Sequence, residues 1–72
     1  MSISPVKLHR ARLGRNIRIL RMKRGLSLRT FGQMIDVDYA YLSNIENAKA
    51  NATVDVLAKI AEGLEVDIRD LF

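Results

Sequence analysis

The sequence predicts an all-α domain of five short helices, and three observations predict it. Apolar residues recur at i, i+3 or i+4, and i+7 in successive windows, the period of a helix buried on one face. Most windows are preceded by a Ser, Thr or Asp at the position that caps a helix start. Only Asp36 and Val37 separate the second window from the third, and so short a connection forces two helices to meet at a sharp angle, a helix-turn-helix.

The first helix is expected over residues 5–24. Ser4 is placed to cap it and Pro5 suits its first position. Leu13, Ile17 and Leu20, with Arg24 at the end, make one stripe; Gly14 weakens the middle and Gly25 reads as the stop. The second, 28–35, follows Ser27 and buries Leu28, Phe31 and either Met34 or Ile35. Gly32 in its middle costs about 1 kcal/mol against Ala, so another helix is expected to pass close there. The third, 39–46, follows Asp38 as N-cap. Leu42 and Ile45 face inward; Ala40, Ser43, Asn44 and Asn47 lie opposite, flanked by Tyr39 and Tyr41. The fourth, 54–64, follows Thr53, with Val54, Leu57, Ile60, Ala61 and Leu64 as its stripe. The fifth, 68–72, opens on a capping box of Asp67 and Asp70.

With 72 residues the chain has room for one domain. Residues 1–12 are expected to be an N-terminal extension of the first helix, partly flexible. Residues 13–72 form the domain proper, with the helix-turn-helix at about 28–46. The absence of Cys excludes disulfides, thiol catalysis and thiolate metal sites. A single His9, expected on the surface, cannot build a metal site alone. No Ser/His/Asp set or carboxylate pair suggests catalysis, so neither an enzyme nor a cofactor is expected. No apolar run approaches the roughly 18 residues of a membrane span, and the basic start lacks the apolar stretch of a secretory signal; cytoplasm is the expected compartment. Met22 and Met34 read as core or gap-filling residues, and Asp55, Glu62, Glu65 and Asp70 as solvated surface.

Charge is unevenly spread. Residues 1–29 hold nine of the 12 Lys and Arg and no acid, whereas residues 30–72 hold three bases against eight acids. Such asymmetry suggests one face for a polyanion.

Residues 13–72 carry the motifs LxxxIRxLRxxxGLS, a small residue inside the second helix, YLSxIE and VLxKIAxGLxV. In these the chain resembles the lambda-repressor-like (Xre/Cro-type) helix-turn-helix family, especially phage repressors and restriction–modification controller proteins. The resemblance implies a cytoplasmic, bacterial or phage-encoded regulator that binds a palindromic double-stranded DNA operator as a homodimer. It implies that the third helix enters the major groove. Tyr39, Ala40, Ser43 and Asn44 would then read bases, and Ser27, Arg29, Gln33, Tyr41, Lys49 and Asn51 would meet phosphates. It also implies a structural salt bridge of Arg21 with Glu46 and a dimer interface of Leu64, Val66, Ile68, Leu71 and Phe72. The apolar end of the chain independently suggests that interface.

The chain departs from the family pattern in places. Asp36 stands at the turn position usually held by Gly, and Leu28 where a phosphate-touching Gln is common. The third helix has no Arg or Lys, which implies an A·T-leaning half-site. Two alternatives to a plain regulator are an antitoxin with a protein partner and a helical interaction module that does not bind DNA. Polar Ser43 and Asn44 favour DNA over the larger apolar anchors a protein partner would want.

Overall fold

The computed structural model describes residues 4–72. It contains α1 (Pro5–Lys23), α2 (Leu28–Ile35), α3 (Tyr39–Glu46), α4 (Val54–Leu64) and one terminal 3₁₀ turn (Ile68–Leu71). The five-helix expectation is corrected to four α-helices and that turn. The capping box is present: Asp67 caps the turn while its own N–H donates to the Asp70 carboxylate at 3.0 Å. The segment is too short for an α-helical ladder. Its bonds are the tighter i→i+3 kind, Asp70 N–H to the Asp67 carbonyl at 2.8 Å and Phe72 N–H to Arg69 at 3.2 Å.

Local chemistry sets most helix starts. The hydroxyls of Ser4, Ser27 and Thr53 accept from the backbone N–H of Lys7, Thr30 and Val56 at 3.2, 3.0 and 3.1 Å. Asp38 occupies the cap position of α3, but its side chain makes no capping bond, contrary to expectation. α1 ends one residue earlier than expected. Gly25 takes the left-handed conformation at φ 67°, and its N–H and that of Leu26 return to the carbonyls of Met22 and Arg21 at 2.9 and 3.2 Å.

The core gathers Ile17 of α1, Phe31 of α2, Leu42 of α3, Ile60 and Leu64 of α4, and Leu71 of the 3₁₀ turn, all fully buried. α1 packs against α3, α4 and the terminal turn, while α2 packs against α3 and α4. Gly14 permits the first of these contacts: a Cβ there would lie 2.6 Å from the Ile45 carbonyl oxygen. Gly32 likewise lets the turn and α3 fold back on α2, since its Cβ would lie 2.6 Å from the Val37 carbonyl oxygen.

Several expectations for the core are corrected. Arg24 is exposed and pairs with Glu65; Arg21, one turn along from Ile17, takes the buried place. Ile35, not Met34, is the buried choice in α2. Met22 and Met34 are exposed and fill no gap, and Val54 lies on the outer side of the first turn of α4. Leu64 and Leu71, expected at a dimer interface, are inside the protomer's own core at 1% and 0% exposure. Asn16 holds the chain end down by donating from Nδ2 to the carbonyls of Leu71 and Phe72 at 3.1 and 3.3 Å. Of the other three residues expected at that interface, Phe72 is exposed, while Val66 and Ile68 are half-buried and pack against the core.

Candidate nucleic-acid interface

The site is built around a rigidly held α3. Asp36 makes the turn that precedes it, in the left-handed conformation at φ 56°, ψ 49°. Asp tolerates that region better than most residues, so the turn survives without its usual glycine. The N–H of Val37 then returns to the Gly32 carbonyl at 2.9 Å and ties the turn to α2. Leu42 and Ile45 pin the inner face of α3 in the core.

Its far end is fixed by charge. Arg21 donates from Nε to Oε2 of Glu46 at 2.8 Å and from a terminal nitrogen to Oε1 at 3.0 Å, a bidentate pair. A third bond runs from Arg21 to the Leu26 carbonyl at 2.6 Å. The Glu46 side chain is 4% exposed, so this expected pair is a buried strut joining α1 to α3.

Beyond α3, Ala48 adopts φ 60° and redirects the chain, with the Lys49 N–H bonded to the Asn44 carbonyl at 2.7 Å. The Tyr41 hydroxyl donates to the Asn51 carbonyl at 2.6 Å and so fastens this loop to α3.

Placed on this frame, Tyr39, Ala40 and Asn44 are exposed and Ser43 half-buried. They fall at i, i+1, i+4 and i+5 and therefore share one outward strip. Arg29, Gln33, Lys49 and Asn51 flank that strip and are exposed. Two expected phosphate ligands are already engaged within the chain. The Ser27 hydroxyl caps α2 and donates to the Thr30 hydroxyl at 3.0 Å, and Tyr41 gives its proton to Asn51. Both keep an oxygen lone pair, while Arg29, Gln33, Asn44, Lys49 and Asn51 carry side-chain N–H donors on this face.

One feature escaped sequence reasoning. The Arg29 guanidinium lies over the Tyr39 ring, 5.0 Å from its centroid, bridging α2 and α3. The only signal was an aromatic residue opening α3 with an arginine near the start of α2, and the register across the turn decides whether such residues meet. Around the pair a cleft opens between the helices, lined by Arg29, Gln33, Asp36, Val37, Asp38 and Tyr39. Among the described residues no helix is long and apolar enough to cross a membrane.

Residues 17–71, nearly the whole of this framework, match the family model described as helix-turn-helix. The chain belongs to the helix-turn-helix family. Among relatives of this helix-turn-helix chain, the control protein C.MunI of a Mycoplasma species is 40% identical over 62 residues, covering 85% of the chain and 84% of the relative. The structure is similar to that of the restriction-modification controller protein C.AhdI from Aeromonas hydrophila. There the TM-score is 0.85 at 28% identity, over 88% of this chain and 96% of that one. It is also similar to a helix-turn-helix family transcriptional regulator from Vibrio cholerae, with TM-score 0.87 and 33% identity over 93% of this chain but 38% of the larger regulator. The lambda-repressor-like resemblance read from the motifs, close to controller proteins, thus holds across sequence and fold.

Proposed function

We propose that this protein is a sequence-specific, double-stranded DNA-binding transcriptional regulator of the controller or repressor type, acting as a homodimer. The observation that carries the proposal is the outward strip of α3. Tyr39, Ala40, Ser43 and Asn44 face outward from a short helix whose other side is locked into the core and whose end is held by a buried ion pair. A rigid, polar, narrow ridge of this kind suits the major groove, where Asn can hold adenine bidentately and Ala can contact a thymine methyl.

Arg29, Gln33, Lys49 and Asn51 beside the strip supply donors to phosphates, which fix register without reading sequence. The relatives support the regulatory part of the reading, since those reported are named as control, controller or regulator proteins. Exposed Phe72, with apolar Val66 and Ile68 only half-buried, supports a symmetric contact between two copies. Two copies of this motif read half-sites about 34–36 Å apart.

Fluorescence anisotropy with a pool of random-sequence duplexes at two salt concentrations, followed by sequencing of the bound fraction, tests this directly. The expected result is binding that weakens steeply with salt and a palindrome emerging from the bound pool. Absence of binding at low salt would overturn the proposal.

A further inference from the structure

α3 contains no Arg or Lys, which taken alone argues against guanine contacts. The structure nevertheless places a guanidinium at its N-terminal end. Arg29 belongs to α2, but its seat over the Tyr39 ring, 5.0 Å from the centroid, carries its charge across the turn to the first residue of α3. In this motif that is the end that meets base edges. The guanidinium carries five N–H donors along its planar edge, and attraction of its charge to the ring does not spend them. No carboxylate takes that edge: the ion pairs among the described residues are Arg21–Glu46, Arg24–Glu65 and Arg69–Asp67.

The same cleft holds two carboxylates, Asp36 and Asp38. Asp38 sits at the N-cap of α3 with no capping bond, so its oxygens are uncommitted. A phosphate entering here would meet Arg29 together with two negative groups. A base edge is neutral and meets no such repulsion. In the major groove guanine offers N7 and O6 as paired acceptors and its cytosine partner offers an N4 amine donor. An arginine fork beside a free carboxylate complements that pattern, acceptors to the one and donor to the other.

We infer that Arg29 and Asp38 together read a G·C pair at the N-terminal edge of the α3 footprint, with Tyr39 a positioning residue that holds Arg29 there. The inference rests on the DNA-binding reading above and deepens it. It moves Arg29 from phosphate donor to base reader and Tyr39 from base reader to platform, leaves the phosphates to Gln33, Lys49 and Asn51, and adds a G·C position to a half-site otherwise leaning to A·T.

The test is selection from random duplexes with the full chain and with Arg29→Ala, Arg29→Lys, Tyr39→Phe, Tyr39→Leu and Asp38→Ala, each first checked for an unchanged melt. Wild type should select one G·C pair per half-site beside the A·T positions. Arg29→Ala should flatten that one preference by on the order of tenfold or more. Arg29→Lys should flatten it too although the charge is kept, because a lysine lacks the fork. Tyr39→Phe should preserve it, Tyr39→Leu should weaken it, and Asp38→Ala should relax the same position. A uniform loss across all sequences on Arg29→Ala, restored by Arg29→Lys and with the salt slope smaller by about one per protomer, would mean a phosphate contact and overturn the inference. So would a wild-type site with no G·C pair there. In both cases the DNA-binding reading stands, whereas failure of wild type to bind any duplex would overturn that reading and the inference with it.

Discussion

Glu46 is the residue on which the orientation of α3 depends most. It is buried at the end of that helix and meets Arg21 through two hydrogen bonds of 2.8 and 3.0 Å. Removing one member of a buried pair leaves the other charged, desolvated and alone, which costs about 3–5 kcal/mol. For a domain this small that is a large share of the roughly 0.05–0.15 kcal/mol per residue that folding leaves. Glu46→Ala is therefore expected to lower the melting temperature by tens of degrees or to unfold the chain, as circular dichroism would record. A melt within a few degrees of wild type would show that the pair is not a strut. Asn44 makes the opposite case. It is exposed on the outward strip proposed to read bases, so Asn44→Ala should leave the melt unchanged. It should still reduce discrimination at one A·T position by about 1–3 kcal/mol, measured by competition between duplexes differing there.

At the level of elements, the α2–α3 turn combines two demands on backbone. Asp36 must hold φ 56°, and Gly32 must leave room for the Val37 carbonyl 2.6 Å from where a Cβ would stand. Asp36→Gly should keep or slightly raise stability, whereas Asp36→Val should lower it, since a β-branched residue is a marked outlier at positive φ. Gly32→Ala gains about 1 kcal/mol of helix propensity but drives a methyl into backbone that cannot move cheaply, where overpacking costs about 1–3 kcal/mol or more. A denaturant midpoint below wild type is the expected sign. At the other end of the chain, the backbone N–H of Arg69, and then its guanidinium, hold the Asp67 carboxyl below its ordinary value of 3.8. A depressed carboxylate stabilises the fold above its ordinary value and loses that contribution as pH falls through the depressed one. The melting-temperature difference between wild type and Asp67→Asn should thus shrink as pH is taken from neutral to below about 3.8. These elements also show what sequence makes legible. The bounds of α2, α3 and α4 follow from local caps and period, and both are matters of neighbouring residues. The 3₁₀ geometry of the last segment was not legible, because a capping box marks where a helical turn starts and is silent on how tightly it winds. The burial of Leu64 and Leu71 was equally hidden, since apolar residues near a chain end look alike whether they fold inward or wait for a partner.

For the whole molecule, the same division separates the interface from its partner surfaces. The α3 strip could be read from a helical wheel, because Leu42 and Ile45 fix which side faces in. The Arg29–Tyr39 bridge could not, because it depends on how two helices cross. The proposed dimer surface depends on still longer-range geometry, and with Leu64 and Leu71 committed to the core the residues proposed for it are Phe72, Val66 and Ile68. Phe72 is 64% exposed at the edge of a groove it lines with Val6, His9 and Leu13, while Asn16 fixes its backbone carbonyl. A side chain so largely exposed can be changed at modest cost to the protomer's core. Phe72→Glu should therefore leave the melt of the isolated protomer nearly unchanged while opposing self-association, because two symmetry-related carboxylates would face one another at a two-fold contact. Sedimentation at rising concentration should show wild type converting to dimer and the variant remaining monomeric. Affinity for a full palindrome should then fall toward that for a single half-site, since the two contacts no longer act at each other's effective concentration. If the variant dimerises like wild type, the two-fold contact lies elsewhere, and the exposed face of α1 around Ile19 and Met22 becomes the surface to substitute next.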